Sequence, residues 1–277
     1  MLRRLVLLFA LGSELKAQEL VSSYHHYSAE GISAMVHRGF RSAADERAWT
    51  IVLAASLPLA QLRPSLHLVG VVSHFLQANS LNDIGFNPRS ARWEEQLLLL
   101  WSTPNGYHAV GLLHFCKHEI DNADPPDADT PRAGYRPTKR VIILHGPFAA
   151  TEFKGALPHG VEWAIGLRAA LFAIAQDYRI PSSTEESWRR LRANVAVSAR
   201  AVAVSAPVRI FGQVSYRGAF FESPIRLRHD LRGEAGIRLL ATSIELFGYA
   251  ERIFDDLSRP FPHPSRTYGI GARWQKR

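Results

Sequence analysis

The chain has 277 residues, 33 Lys and Arg against 25 Asp and Glu, and a single cysteine. No run reaches the ~18 apolar residues a spanning helix requires, which excludes a helical membrane protein. The net charge of +8 is carried by 28 arginines and 5 lysines spread along the chain, without the clustered basic stretch of a nucleic-acid binder.

The first element reads as an export signal. Met1-Leu2-Arg3-Arg4 is a short basic start, Leu5 to Gly12 is apolar, and Ser13 to Gln18 is polar with the small Ala17 before a cut. That three-part layout is a secretory signal, and its core is too short to anchor a helix. Cleavage gives a signal over 1–17 and a mature unit over 18–277, and lowers the charge from +8 to +6 by removing Arg3, Arg4, Glu14 and Lys16. Cys116 is then alone in an exported chain, so no intrachain disulfide holds the fold.

Strands follow. Trp49, Ile51, Leu53, Ala55 and Leu57 alternate with Thr50, Val52, Ala54 and Ser56. The clearest segment is a hairpin around Pro104-Asn105-Gly106, residues that tolerate the angles of a tight turn. Trp93, Glu95, Leu97, Leu99 and Trp101 share one face before it. After it, Tyr107, Ala109, Gly111, Leu113 and Phe115 oppose His108, Val110, Leu112, His114, Cys116 and His118. Eight residues of strand climb ~20 Å when tilted by ~40°. Trp101 and Tyr107 are therefore expected on one rim, and Trp93 and Phe115 on the other, as two aromatic girdles around an apolar band.

Further along, Asp121 to Pro131 is an acidic, proline-rich loop. Residues 161–175 fit a strand with Val161, Trp163, Ile165, Leu167, Ala169, Leu171 and Ala173 on one face; they also fit a helix interrupted by Arg168. Neighbouring segments favour the strand. Leu191, Ala193, Val195 and Val197 oppose Arg190, Arg192, Asn194 and Ser198, and Val208, Ile210, Val214 and Tyr216 oppose Arg209, Gln213, Ser215 and Arg217. The predicted strands are 31–41, 47–58, 64–76, 92–102, 106–117, 138–148, 160–174, 188–199, 207–218, 235–243, 244–252 and 265–275. Long connections, 42–46, 77–91, 118–137, 175–187, 219–234 and 253–264, fall on one end. Shorter ones, 59–63, 103–105, 149–159, 200–206 and a turn near 243, fall mostly on the other. That asymmetry belongs to barrels whose periplasmic turns are short.

The end of the chain, Thr267-Tyr268-Gly269-Ile270-Gly271-Ala272-Arg273-Trp274, carries a polar residue, a Gly, an apolar residue and an aromatic at Thr267, Gly269, Ala272 and Trp274. This resembles the terminal strand of bacterial outer-membrane β-barrels, which the barrel-assembly machinery recognises; the three residues after Trp274 depart from the pattern. The resemblance implies an all-β chain forming a single transmembrane antiparallel β-barrel of about twelve strands, within a range of 10–14. It also implies residence in the outer membrane of a Gram-negative bacterium. Trp93, Trp101, Tyr107, Phe115, Trp163, Tyr268 and Trp274 are then the expected girdle. His108, Glu162, Arg168, Arg190, Arg192, Arg209 and Arg217 are the expected polar lining of the lumen, and an arginine-lined channel would prefer anions.

His114-Phe115-Cys116-Lys117-His118 is the segment with most chemistry. His114, Cys116 and His118 share a face, expected to look into the lumen. Residues two apart on a strand are ~7 Å apart, so a metal ion would need ligands from other strands, such as His67, His74 or His145; no metal or other cofactor is expected. A His beside a Ser or Cys is the minimum equipment for nucleophilic catalysis. The chain resembles the outer-membrane phospholipases in location and strand number. It lacks their His-Ser-Asn-Gly run, with Cys116 standing where the Ser would be. The acidic cluster of Glu119, Asp121, Asp124, Asp127 and Asp129 has no calcium-loop spacing.

Three functional readings result. The first is a non-enzymatic barrel: a narrow porin-like pore, a surface-binding protein or a structural component. The second is a barrel-embedded enzyme acting on lipid or lipopolysaccharide, with His114, Cys116 and His118 as catalytic residues. The third is a soluble periplasmic all-β binding protein. The expected partners are outer-membrane lipid, lipopolysaccharide and the barrel-assembly machinery.

Overall fold

A computed structural model describes residues 31–40, 48–80, 83–120, 141–178, 187–205, 208–222, 227–239, 243–254 and 264–276. The expected signal over 1–17 and the acidic loop from Asp121 to Pro131 lie outside them.

The strands are β1 (Gly31–Gly39), β2 (Trp49–Arg63), β3 (Leu66–Asn79), β4 (Asn87–Thr103), β5 (Gly106–Glu119), β6 (Val141–Leu157), β7 (Val161–Leu171), β8 (Ile174–Tyr178), β9 (Leu191–Ser205), β10 (Val208–Phe221), β11 (Leu227–Leu239), β12 (Ile244–Ile253) and β13 (Ser265–Lys276). Strands adjacent in sequence pair antiparallel, except that β8 pairs only with β6, and β9 with β7 and β10; β1 pairs with β13. The sheet therefore closes on itself. β7 and β8 both pair with β6 and form one stave of the wall, so the barrel has twelve staves.

The break between them is a β-bulge. Ala170 opposes Phe148 and Ile174 opposes His145, so four steps on one strand match three on the other. The bulge drives the Leu171 carbonyl against Gly146, where a Cβ would stand 1.7 Å from that oxygen. Pro147 follows, a residue with no N–H to offer the ladder. The predicted turn at Asn105-Gly106 is present, with Gly106 at φ +144°.

The two faces of the wall are inverted relative to a soluble protein. Apolar side chains look out: Leu53, Leu112, Leu171, Ile210, Leu231 and Ile270 are each more than half exposed. Charges look in: Arg168, Arg232, Arg273, Glu234, Glu245 and Glu251 are buried. Hydrocarbon outside and polar groups inside is the arrangement of a membrane barrel, and it argues against a soluble periplasmic protein. Among the described residues no helix is long and apolar enough to cross a membrane; the crossing is made by strands.

The connection asymmetry holds. β2–β3, β4–β5, β6–β7, β9–β10 and β11–β12 are joined by short links at one end, and the longer intervals, such as 120–140, lie at the other. Several predicted bounds need correction. β6 runs to Leu157, well into the expected connection 149–159. β11 begins at Leu227, so most of the expected loop 219–234 is strand. The expected strand 160–174 is interrupted by the bulge.

Candidate functional site

The interior is packed. Glu94 on β4 accepts a hydrogen bond from Arg168 on β7 at 2.8 Å, a chord across the lumen between strands that are not neighbours. A second network joins β9 to β13. Arg232 donates to Glu234 and Glu251, each at 2.7 Å, and Arg273 donates to Glu234 at 2.5 Å. Arg200 donates to Gln213 and Glu245, each at 2.9 Å. Arg217 pairs with Asp230, its cross-strand partner. Aromatic rings fill the spaces between the charges: Arg92 lies 3.6 Å over Phe75, Arg200 4.1 Å over Phe211 and Arg232 4.3 Å over Tyr249. Such cation–ring contacts strengthen where water is excluded.

Toward the end bearing the long connections, a 3-10 turn at Trp188–Arg190 brings Trp188 into the barrel, where it is buried. Its backbone N–H donates to Asp177 at 3.0 Å. Its ring is stacked with Phe254 at 5.4 Å and Phe115 at 6.4 Å, and meets Phe221 edge-on at 6.3 Å. These rings belong to one apolar cluster with Leu98, Leu100, Leu113, Ile142 and Leu144.

Of the expected lining, Glu162, Arg168, Arg209 and Arg217 point inward by the alternation of their strands. His108 does not: it is exposed on the outer wall beside Trp101. Arg190 sits in the 3-10 turn, and Arg192 is half-exposed at a strand end, paired with Glu222 at 2.6 Å. Of the expected girdle, Trp93, Trp101, Trp163, Tyr268 and Trp274 face outward. Tyr107 and Phe115 face inward and are buried. The reason is the opposite wall of the hairpin: Leu98 and Leu100 of β4 also turn inward, and the apolar face of β5 packs with them.

The same reversal carries His114, Cys116 and His118 to the outside. There they form a polar patch on a lipid-type wall. His114 opposes Glu95 on β4 and His145 on β6. The His114 and His145 rings lie 4.4 Å apart, with ring nitrogens at 3.2 Å. A hydrogen bond between two imidazoles needs one donor and one acceptor, so the two rings cannot both be doubly protonated. Cys116 Sγ lies 2.7 Å from His118 Nε2. Trp93, opposite Cys116, packs edge-on to His118 at 5.5 Å and stacks on His74 at 5.1 Å. Thiol and imidazole in contact are a nucleophile and a base within proton-transfer reach. Among the described residues no three His, Cys, Asp or Glu side chains converge to hold a metal ion. The alternation of β5 shows that these residues share a face; which face it is depends on β4 and β6.

Thr267, Gly269, Ala272 and Trp274, expected as the assembly signal, all lie in β13, the strand that closes the ring on β1. His145 and Glu95 carried no local motif. Only the register brings them beside His114.

No family model matches the chain, and no curated protein does. Solved structures match its fold. Outer membrane phospholipase A from Escherichia coli, in an active-site variant, superposes with a TM-score of 0.53 at 10% identity, covering 93% of this chain and 94% of that one. The calcium-bound dimeric outer membrane phospholipase of Salmonella typhi gives 0.53 at 10% identity, covering 88% and 90%. An outer membrane channel from Pseudomonas putida F1 gives 0.47 at 10% identity, covering 95% and 98%. The fold is that of the bacterial outer-membrane β-barrels, at the level of the class and no narrower.

Proposed function

We propose that this is a non-conducting outer-membrane barrel that works at its surface rather than through its lumen, in a binding or structural role. The observation that carries this reading is the filled interior. Ion pairs that span the lumen and a buried Trp188 occupy the space a solute would need. Twelve strands lie between the eight whose interior side chains fill and the sixteen or more that leave an aqueous channel, so the side chains decide whether the lumen is open. Planar-bilayer recordings of the refolded protein test this. Silent membranes are expected under an applied voltage; steady unitary steps would overturn it.

A second reading, hydrolysis of lipid esters, is favoured by the Cys116–His118 contact on the outer wall. The Cys116 thiol would attack the ester carbonyl carbon while His118 takes the thiol proton. The carbon–oxygen bond to the alcohol then breaks, and the alcohol leaves with the proton from His118. Water next attacks the thioester, giving the free acid and restoring the thiol. His114, held between Glu95 and His145, would orient the bound ester. The named phospholipases share the fold; the contact, not that likeness, supports the chemistry. Fatty acid released from phospholipid in mixed micelles is the readout. Cys116→Ala and His118→Ala should each lower the rate by about 10²-fold or more, and His108→Ala should leave it unchanged. Full activity in Cys116→Ala, or none in the unaltered protein, removes this reading.

A further inference from the structure

We infer that the outward arginines at the loop-bearing rim of β12, β13 and β1 form a binding surface for a phosphorylated lipid headgroup of the outer leaflet. Arg252 and Arg266 oppose each other directly across β12 and β13, and both are exposed on the outer face. Like charges directly opposite on one face destabilise a strand pair unless an anion lies between them. Inside the same wall, Arg200, Arg217, Arg232 and Arg273 all have carboxylate partners. Outside, the described outward positions of β10 to β13 and β1 contain no carboxylate at all. The fold neutralises its arginines where lipid cannot reach and leaves them open where it can.

The surroundings select the kind of anion. Arg38, exposed on β1, lies 4.9 Å over the Trp49 ring. Tyr268, next on the outer face after Arg266, is exposed and meets Phe40 edge-on at 6.1 Å. The arginines thus border aromatic rings of the kind that settle at headgroup depth. Farther along the strands from Arg252 and Arg266, the same wall offers Val36, Leu246 and Ile270, all exposed and apolar. A phosphate above and acyl chains below match this surface; a soluble polyanion would leave the apolar part uncovered. Guanidinium groups suit phosphate because their planar donors bind its oxygens in pairs. This surface requires a membrane-spanning barrel and is independent of whether the barrel conducts or cleaves lipid.

The test uses the full-length mature barrel in phosphatidylcholine nanodiscs doped with bis-phosphorylated lipid A. Dephosphorylated lipid A serves in a parallel arm, and millimolar inorganic phosphate is the competitor. Lipid retained on the protein is counted by native mass spectrometry. The unaltered protein should prefer the phosphorylated form by about tenfold or more. The Arg252→Gln/Arg266→Gln double variant should lose that preference, and Arg192→Gln, at a rim ion pair elsewhere, should keep it. Equal retention of both lipid A forms by the unaltered protein overturns the inference. So does an unchanged preference in the double variant, or full displacement by inorganic phosphate. A double variant that fails to fold is replaced by the two single variants, each expected to lower the preference about threefold. If the preference is absent while boiling still shifts the gel band, the barrel stands and only this surface is lost.

Discussion

Glu234 is one of the nodes of the interior ion network. It is buried between Arg232 and Arg273, accepting from one at 2.7 Å and from the other at 2.5 Å. Removing one member of a buried ion network leaves the others desolvated and unmatched, at about 3–5 kcal/mol. Glu234→Ala should therefore lower stability by roughly that amount, read as the shift in denaturant midpoint of the barrel folded in detergent. The half-exposed Arg192–Glu222 pair is the comparison. Water and salt screen it, so Glu222→Ala should cost ~1 kcal/mol or less. Equal losses for the two variants would mean that the interior charges are not matched as described. The difference follows from where each carboxylate sits rather than from the number of its bonds.

At the level of strands, the sequence was legible wherever a face was uniform. Trp49 to Leu57 alternate cleanly, and β2 turns that apolar row outward. Segment 161–171 kept Trp163, Ile165, Leu167, Ala169 and Leu171 on one side, and β7 does the same. Reading failed where both faces mixed polar and apolar groups. In β5, Tyr107, Leu113 and Phe115 compete with Val110 and Leu112, and local alternation cannot say which row meets lipid. Leu98 and Leu100, on the inner face of the neighbouring strand, settle it by packing with the first row. The His114–His118 face, expected to look into the lumen, therefore lies outside. β11 failed for another reason. Arg228, Asp230, Arg232 and Glu234 recur at every second position, a strand signal that reads as a solvated loop because the charge is so dense. Two of the partners that make this charge tolerable, Glu251 and Arg273, come from β12 and β13. The bulge at Leu171–Ile174 left no trace except Gly146-Pro147 on the facing strand.

For the whole molecule, closure matters more than any one contact. The sheet closes into a ring only because β1 and β13 meet along Ile32–Gly39 and Gly269–Lys276. In a membrane an open edge exposes backbone groups that nothing can satisfy, at several kcal/mol each. The closing strand also holds Thr267, Gly269, Ala272 and Trp274, the residues expected to act as the assembly signal. Two variants separate the roles. Deleting residues 264–277 should abolish folding even in pure detergent, because β1 and β12 both lose a partner. Trp274→Ala removes an outward ring but no ladder bond, so the purified chain should still fold in detergent and shift its gel band on boiling. In cells, the same variant should accumulate less folded barrel if the aromatic is read during assembly. A truncated chain that still gives a heat-modifiable band would show that the ring does not depend on β13. Folding of Trp274→Ala to normal levels in cells would leave the strand its closing role and no other.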